Sequence, residues 1–148
     1  MLRRTLLWMS ERDDLRDALF RLPLARTAAT KFVAGETHDI ALRTAADLNR
    51  AGFRVTLDLL GESVGDRDEA EAAASEYARS LDLIEASEAS TTISLKLTQL
   101  GLDIDTDFCL ANLEGIVAHA ARLDNFVRID MEGSAYTQRM LDIFYRVF

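Results

Sequence analysis

Ile93-Ser-Leu-Lys-Leu-Thr-Gln-Leu-Gly101 reads as a strand that carries one lysine among leucines and an isoleucine and then breaks at a glycine. A lysine in an apolar strand is costly unless an opposite charge or water meets it. Candidate partners lie in two flanking stretches. Arg54-Val-Thr-Leu-Asp-Leu-Leu60 alternates polar and aliphatic residues and is closed by Gly61-Glu62. Phe126-Val-Arg-Ile-Asp-Met131 alternates in the same way.

Between these strands the period changes from two to that of a helix. An acidic, alanine-rich helix is expected from about Asp66 to Glu88, with Asp66 and Glu69 at capping-box spacing. A second is expected from Asp105 or Thr106 to about Leu123, and a third from Ser134 to the end of the sequence. Upstream, Thr37 is placed to cap a helix through Ala51, which Gly52 stops. Leu15, Ala18, Leu19 and Leu22 form an earlier amphipathic stripe, Pro23 ends or kinks it, and Lys31 to Glu36 reads as a turn. The organisation is thus a helical lead-in over residues 1–52 followed by three βα units over residues 53–148. Strand–helix order repeated three times points to a parallel α/β fold.

Composition narrows the function. The 148 residues are 49% hydrophobic and 28% charged, as in ordinary globular proteins. The net charge of −8 argues against a nucleic-acid partner, which needs a basic face. Leu6 to Met9 is too short for the apolar region of a signal peptide, and no stretch approaches membrane-spanning length. The single cysteine, Cys109, rules out an internal disulfide and reads as a small core residue of its helix. His38 and His119 are too far apart in sequence to suggest a helical metal pair, so no metal is expected. Nucleotide signatures such as G-x-G-x-x-G and the P-loop are absent.

Strand side chains alternate faces, so each strand has an aliphatic parity and a polar one. Val55, Leu57 and Leu59, then Ile93, Leu95 and Leu97, then Val127, Ile129 and Met131 share the first; Asp58, Lys96 and Asp130 share the second. Two architectures explain this. In a two-layer sheet the polar face meets water. In a (β/α)8 barrel the polar parity points inward, and the three charges gather at the C-terminal mouth where barrel enzymes hold their chemistry.

Four segments, in this order and spacing, carry a resemblance: Phe32-Val-Ala-Gly-Glu-Thr37, Leu57-Asp-Leu-Leu-Gly-Glu62, Ile93 to Gly101, and Val127-Arg-Ile-Asp-Met-Glu132. Together they resemble the N-terminal part of bacterial monofunctional proline dehydrogenases. The resemblance implies an incomplete (β/α)8 barrel, FAD at its mouth, and oxidation of L-proline to Δ1-pyrroline-5-carboxylate with electrons passed to a quinone. It further implies a cytoplasmic protein, peripheral at the inner membrane. By the same resemblance Asp130 is the active-site carboxylate and Met131 touches the flavin. Lys96 holds the proline carboxylate, and Glu62 forms half of an ion-pair gate over the substrate.

Three strands cannot close a barrel, which normally takes about 250 residues. The sequence is therefore expected to be a truncated copy, inactive alone, that aggregates or needs a complementary C-terminal fragment. Two alternatives remain: a non-catalytic α/β unit that pairs with a partner chain, and an unrelated barrel enzyme using Lys96 as a Schiff-base nucleophile.

Overall fold

The computed structural model describes Ala34, Gly35, residues 37–61 and residues 63–148. The chain divides into two compact units, residues 1–41 and 42–148. The early amphipathic stripe, Pro23 and most of the Lys31–Glu36 turn lie outside the described residues.

Of the first unit, the described residues form the start of helix α1 (His38–Arg50), whose bounds agree with the expected helix. The Thr37 carbonyl accepts from the N–H groups of Ile40 and Ala41, closing its first turn. Gly35 lies so near that a Cβ there would stand 2.8 Å from the Ala41 backbone nitrogen.

The second unit begins within α1 and continues through β1 (Val55–Asp58), α2 (Arg67–Glu85), β2 (Thr91–Leu95), α3 (Thr106–Arg122), β3 (Val127–Ile129) and α4 (Thr137–Val147). It is an α/β fold with a three-stranded parallel sheet in the order β1-β2-β3. Consecutive strands are neighbours, as in one arc of a barrel. The aliphatic parity packs beneath the helices as expected. Ile93 and Leu95 are almost wholly buried against Tyr77 and Leu81 of α2, Cys109 and Leu113 of α3, and Met140 and Ile143 of α4. On the polar parity, Thr56 and Thr92 face each other with hydroxyl oxygens 3.0 Å apart.

The local caps form where their chemistry places them. The Asp66 carboxylate accepts from the Glu69 N–H at 2.9 Å, and the Glu69 carboxylate returns to the Gly65 N–H at 2.7 Å. The Asp105 carboxylate accepts from the Phe108 N–H at 2.7 Å. The Asp66 and Asp105 bonds each satisfy a donor that the first helical turn leaves unpaired.

Three expectations need correction. First, β2 ends at Leu95, and Leu97–Leu100 is a turn of 3-10 helix. All four of its residues are buried, and Leu97 and Leu100 both join the core, whereas a strand would point them to opposite faces. Second, β1 and β3 are shorter than their apolar patterns, because pairing stops where β2 leaves the sheet. Met131 thus falls beyond the ladder, 60% exposed, instead of sharing a face with Val127 and Ile129. Third, α4 starts at Thr137, not Ser134. The Tyr136 N–H donates to Gly133 O in a preceding turn, and the Tyr136 hydroxyl donates to Asp103 at 2.8 Å.

Gly101 closes the 3-10 turn with φ +93°. The Leu102 N–H reaches back to Leu97 O at 3.0 Å, and a Cβ on Gly101 would lie 2.9 Å from the Phe108 ring. Gly101→Ala should therefore lower stability by about 1–2 kcal/mol from the left-handed backbone alone, with the ring contact adding to it. Urea unfolding measures this, and an unchanged midpoint would refute the assignment.

Candidate functional site

Lys96 is the first residue past the β2 ladder, still extended (φ −111°, ψ 134°). Its ammonium donates to the Asp58 carboxylate at 3.2 Å, bridging from β2 to the last residue of β1. The lysine side chain is 20% exposed and the aspartate 36%. Water therefore shares the solvation of both charges, and the pair is worth no more than about 1 kcal/mol. The question posed by a lysine in an apolar strand is answered by Asp58 together with solvent.

Asp130 sits one strand over. Its N–H donates to Leu95 O at 2.9 Å, which extends the β2–β3 pairing by one step and sets Asp130 beside Lys96 in register. Among the described residues it joins no ion pair with Lys96. Glu62 lies outside the described residues. Of the residues singled out in the sequence, Lys96 and Asp58 are thus joined, Asp130 flanks them, and Met131 stands uncovered.

Several residues that sequence reasoning passed over complete the site. Glu132, just past Met131, accepts from both the Thr98 hydroxyl and the Thr98 N–H, the latter at 3.3 Å. Thr98 in turn accepts from the Ser63 N–H at 3.4 Å. The loops after β1 and β3 are therefore both tied to the 3-10 turn after β2. Beneath them the Tyr77 hydroxyl donates to Gln99 Oε1 at 2.7 Å, with both residues buried. Tyr77 was legible as a member of the α2 stripe Ala70, Ala74, Tyr77, Leu81, Ile84, whose other members carry no polar atom on their side chains. Thr98, Gln99 and Glu132 lay inside segments already quoted but had no periodic signal of their own.

Burial raises the Tyr77 phenol above the ordinary tyrosine range, and the negative charges of Asp58, Asp130 and Glu132 add to the effect. The Lys96 backbone N–H facing the phenol oxygen acts the other way. Tyr77 therefore stays a neutral donor. Cys109 is also neutral: burial pushes its thiol up to about 12, and the sulfur lies 3.4 Å from Leu97 O. This is the setting of a core thiol rather than a nucleophile. On the outer face, His119 Nε2 meets Asp82 at 2.7 Å and its Nδ1 meets Arg122 at 2.7 Å. The arginine can only donate, so Nδ1 accepts and Nε2 carries the proton.

The arrangement offers one cation, flanking carboxylates and uncovered apolar side chains at the C-terminal ends of parallel strands. The family model described as Proline dehydrogenase matches residues 41–148. The chain belongs to the proline dehydrogenase family. Over 144 residues it is 34% identical to proline dehydrogenase 1 of Bacillus subtilis, covering 97% of the chain and 47% of that relative. Proline dehydrogenase 2 of the same organism is 37% identical over 81% of the chain and 40% of its own length. The chain thus spans less than half the length of these curated family members. A crystal structure of proline utilization A from Bdellovibrio bacteriovorus, inactivated by N-propargylglycine, superposes with a TM-score of 0.75. It covers 83% of this chain and 15% of that one at 20% identity, a likeness of fold alone.

The two raised groups predict the behaviour of this proline dehydrogenase family fold in alkali. An unfolded thiol releases its proton near pH 9 and an unfolded phenol near pH 10, while both hold theirs when folded. Above pH 9 the unfolded state therefore binds fewer protons at these two groups, so they add no pH dependence below that pH and lower stability as pH rises beyond it. Cys109 should react with a thiol reagent at pH 8 only as fast as the protein opens. Rapid labelling of folded protein would contradict this.

Proposed function

We propose that the chain carries the substrate-clamping part of a flavin-dependent proline dehydrogenase. In this reading Lys96 binds the carboxylate of L-proline by a charge-assisted hydrogen bond. Asp58 offsets its charge when no substrate is present, and Asp130 flanks the ring from the next strand as the active-site carboxylate. Glu62 acts as one half of a gate over the substrate. The observation that carries the reading is the partly exposed Lys96–Asp58 pair at the strand ends. A sealed structural pair would not offer a donor to an incoming anion.

The residues present fit a flavin. Leu60 and Met131, directly after β1 and β3, are 77% and 60% exposed, apolar side chains against which a flat ring can lie. FAD, when bound, supplies the electron acceptor for conversion of proline to Δ1-pyrroline-5-carboxylate. Lys96 orients the carboxylate, and Met131 covers one side and limits water. A quinone as final acceptor would bring a cytoplasmic protein to the inner membrane peripherally. No helix among the described residues is long and apolar enough to cross a membrane.

A second reading is a non-catalytic α/β unit that pairs with another chain. It draws on Phe144, Tyr145 and Phe148, which are exposed near the end of α4, with the Phe144 ring in contact with both of the others. We further propose that the 148 residues alone do not turn over proline, because relatives of that activity are more than twice as long. The test is flavin retention and proline-dependent dye reduction, with and without a complementary C-terminal fragment of the family. Turnover only with the fragment is expected, and Lys96→Ala should then raise KM for proline by about 10–100-fold. No turnover in the complemented protein would favour the pairing unit, and turnover by the chain alone would overturn its proposed inactivity.

A further inference from the structure

We propose that Tyr77 and Gln99 are a positioning pair for Lys96, holding the lysine backbone from both sides. On one side the Lys96 N–H faces the Tyr77 phenol oxygen. On the other, the Lys96 carbonyl accepts from the Gln99 N–H at 3.2 Å. The two are locked together by the 2.7 Å bond from the Tyr77 hydroxyl to Gln99 Oε1. Lys96 needs such support because it stands immediately past Leu95, the last residue of the β2 ladder. Asp130 fixes the Leu95–Lys96 peptide through Leu95 O, so the Lys96 carbonyl is the first in the strand that the sheet does not orient.

Burial argues that the hydroxyl is there for more than filling. Tyr77 is 1% exposed and Gln99 7%. A phenylalanine would fill the same space between α2 and the sheet without a polar group to satisfy, and a buried hydroxyl is tolerated only with its partner in place. The far end of Gln99 is also confined. A Cβ on Gly61 would lie 2.6 Å from Gln99 Nε2, so the loop after β1 closes directly over the amide. The pair thus connects α2, the 3-10 turn and the β1 loop around one lysine. The functional weight of this arrangement rests on Lys96 as the carboxylate-binding residue, whereas the positioning itself does not.

The sequence allows a direct readout, since its only lysines are Lys31 and Lys96. Reductive methylation with 13C-formaldehyde labels both together with the amino terminus, and Lys96→Arg identifies the Lys96 signal by its loss. Tyr77→Phe and Gln99→Met should each displace the Lys96 resonance and leave that of Lys31 in place. The double variant should match Tyr77→Phe alone, because that substitution already removes the link that Gln99→Met breaks. An unmoved Lys96 signal in a folded variant, or fully additive displacements, would overturn the proposal. So would loss of cooperative folding in both single variants, which would assign the bond to stability alone. Neither proline nor flavin enters the measurement. An unchanged KM in Lys96→Ala would therefore sink the substrate reading without touching this one, and an unmoved resonance the reverse.

Discussion

Four consecutive buried residues, Leu97 to Leu100, force the chain out of the sheet directly after Lys96, and most of the site follows from that exit. In a strand Leu97 and Leu100, of opposite parity, would point to opposite faces of the sheet, so both reach the core only by turning. The 3-10 geometry makes the turn, and Gly101 ends it in a backbone conformation that a side chain would strain. Leu97 and Leu100 then reach the core, while Thr98 and Gln99 point their polar groups at neighbours instead of water. Thr98 engages the loops after β1 and β3, and Gln99 engages α2. The turn is thereby the point at which three strand ends are held in common.

The electrostatics follow from the same placement. Asp58 and the Asp130–Glu132 stretch lie far apart in the sequence but close enough to act on one buried phenol. Lys96 forms an ion pair with one of them, Asp58, and only partly out of water. Full burial would have made the pair costly to separate, and full exposure would have left it screened and mobile. The intermediate setting leaves a cation that is oriented and still able to exchange its partner for another carboxylate. That property suits a substrate-binding lysine better than a structural one.

What could be read early was local. The caps at Asp66 and Asp105 appeared as expected because a carboxylate bonds the N–H three residues on, a relation contained within one turn of chain. The aliphatic parity of the strands was legible for the same reason, and Cys109 fell in the core as its apolar helix implied. Ser134 misled because the chain first makes a separate turn, closed by the Tyr136 N–H on Gly133 O, and the helical bonds begin at Tyr136 O. Met131 misled because a strand lasts only as long as its partner, and the partner had already turned away.

The sequence by itself determined the order of helices and strands, the two faces of the sheet and the family, since each rests on periodicity or on contiguous motifs. Only the tertiary structure decided that Lys96 pairs with Asp58, that Thr98 and Glu132 join two loops, and that Tyr77 reaches Gln99. These contacts bring together residues 22 to 38 positions apart. Parallel strands separated by whole helices create such neighbours through register, which no local pattern encodes. Lys96 was visible from the start as a lysine in need of a partner. Its orientation depends on a turn that the strand pattern concealed.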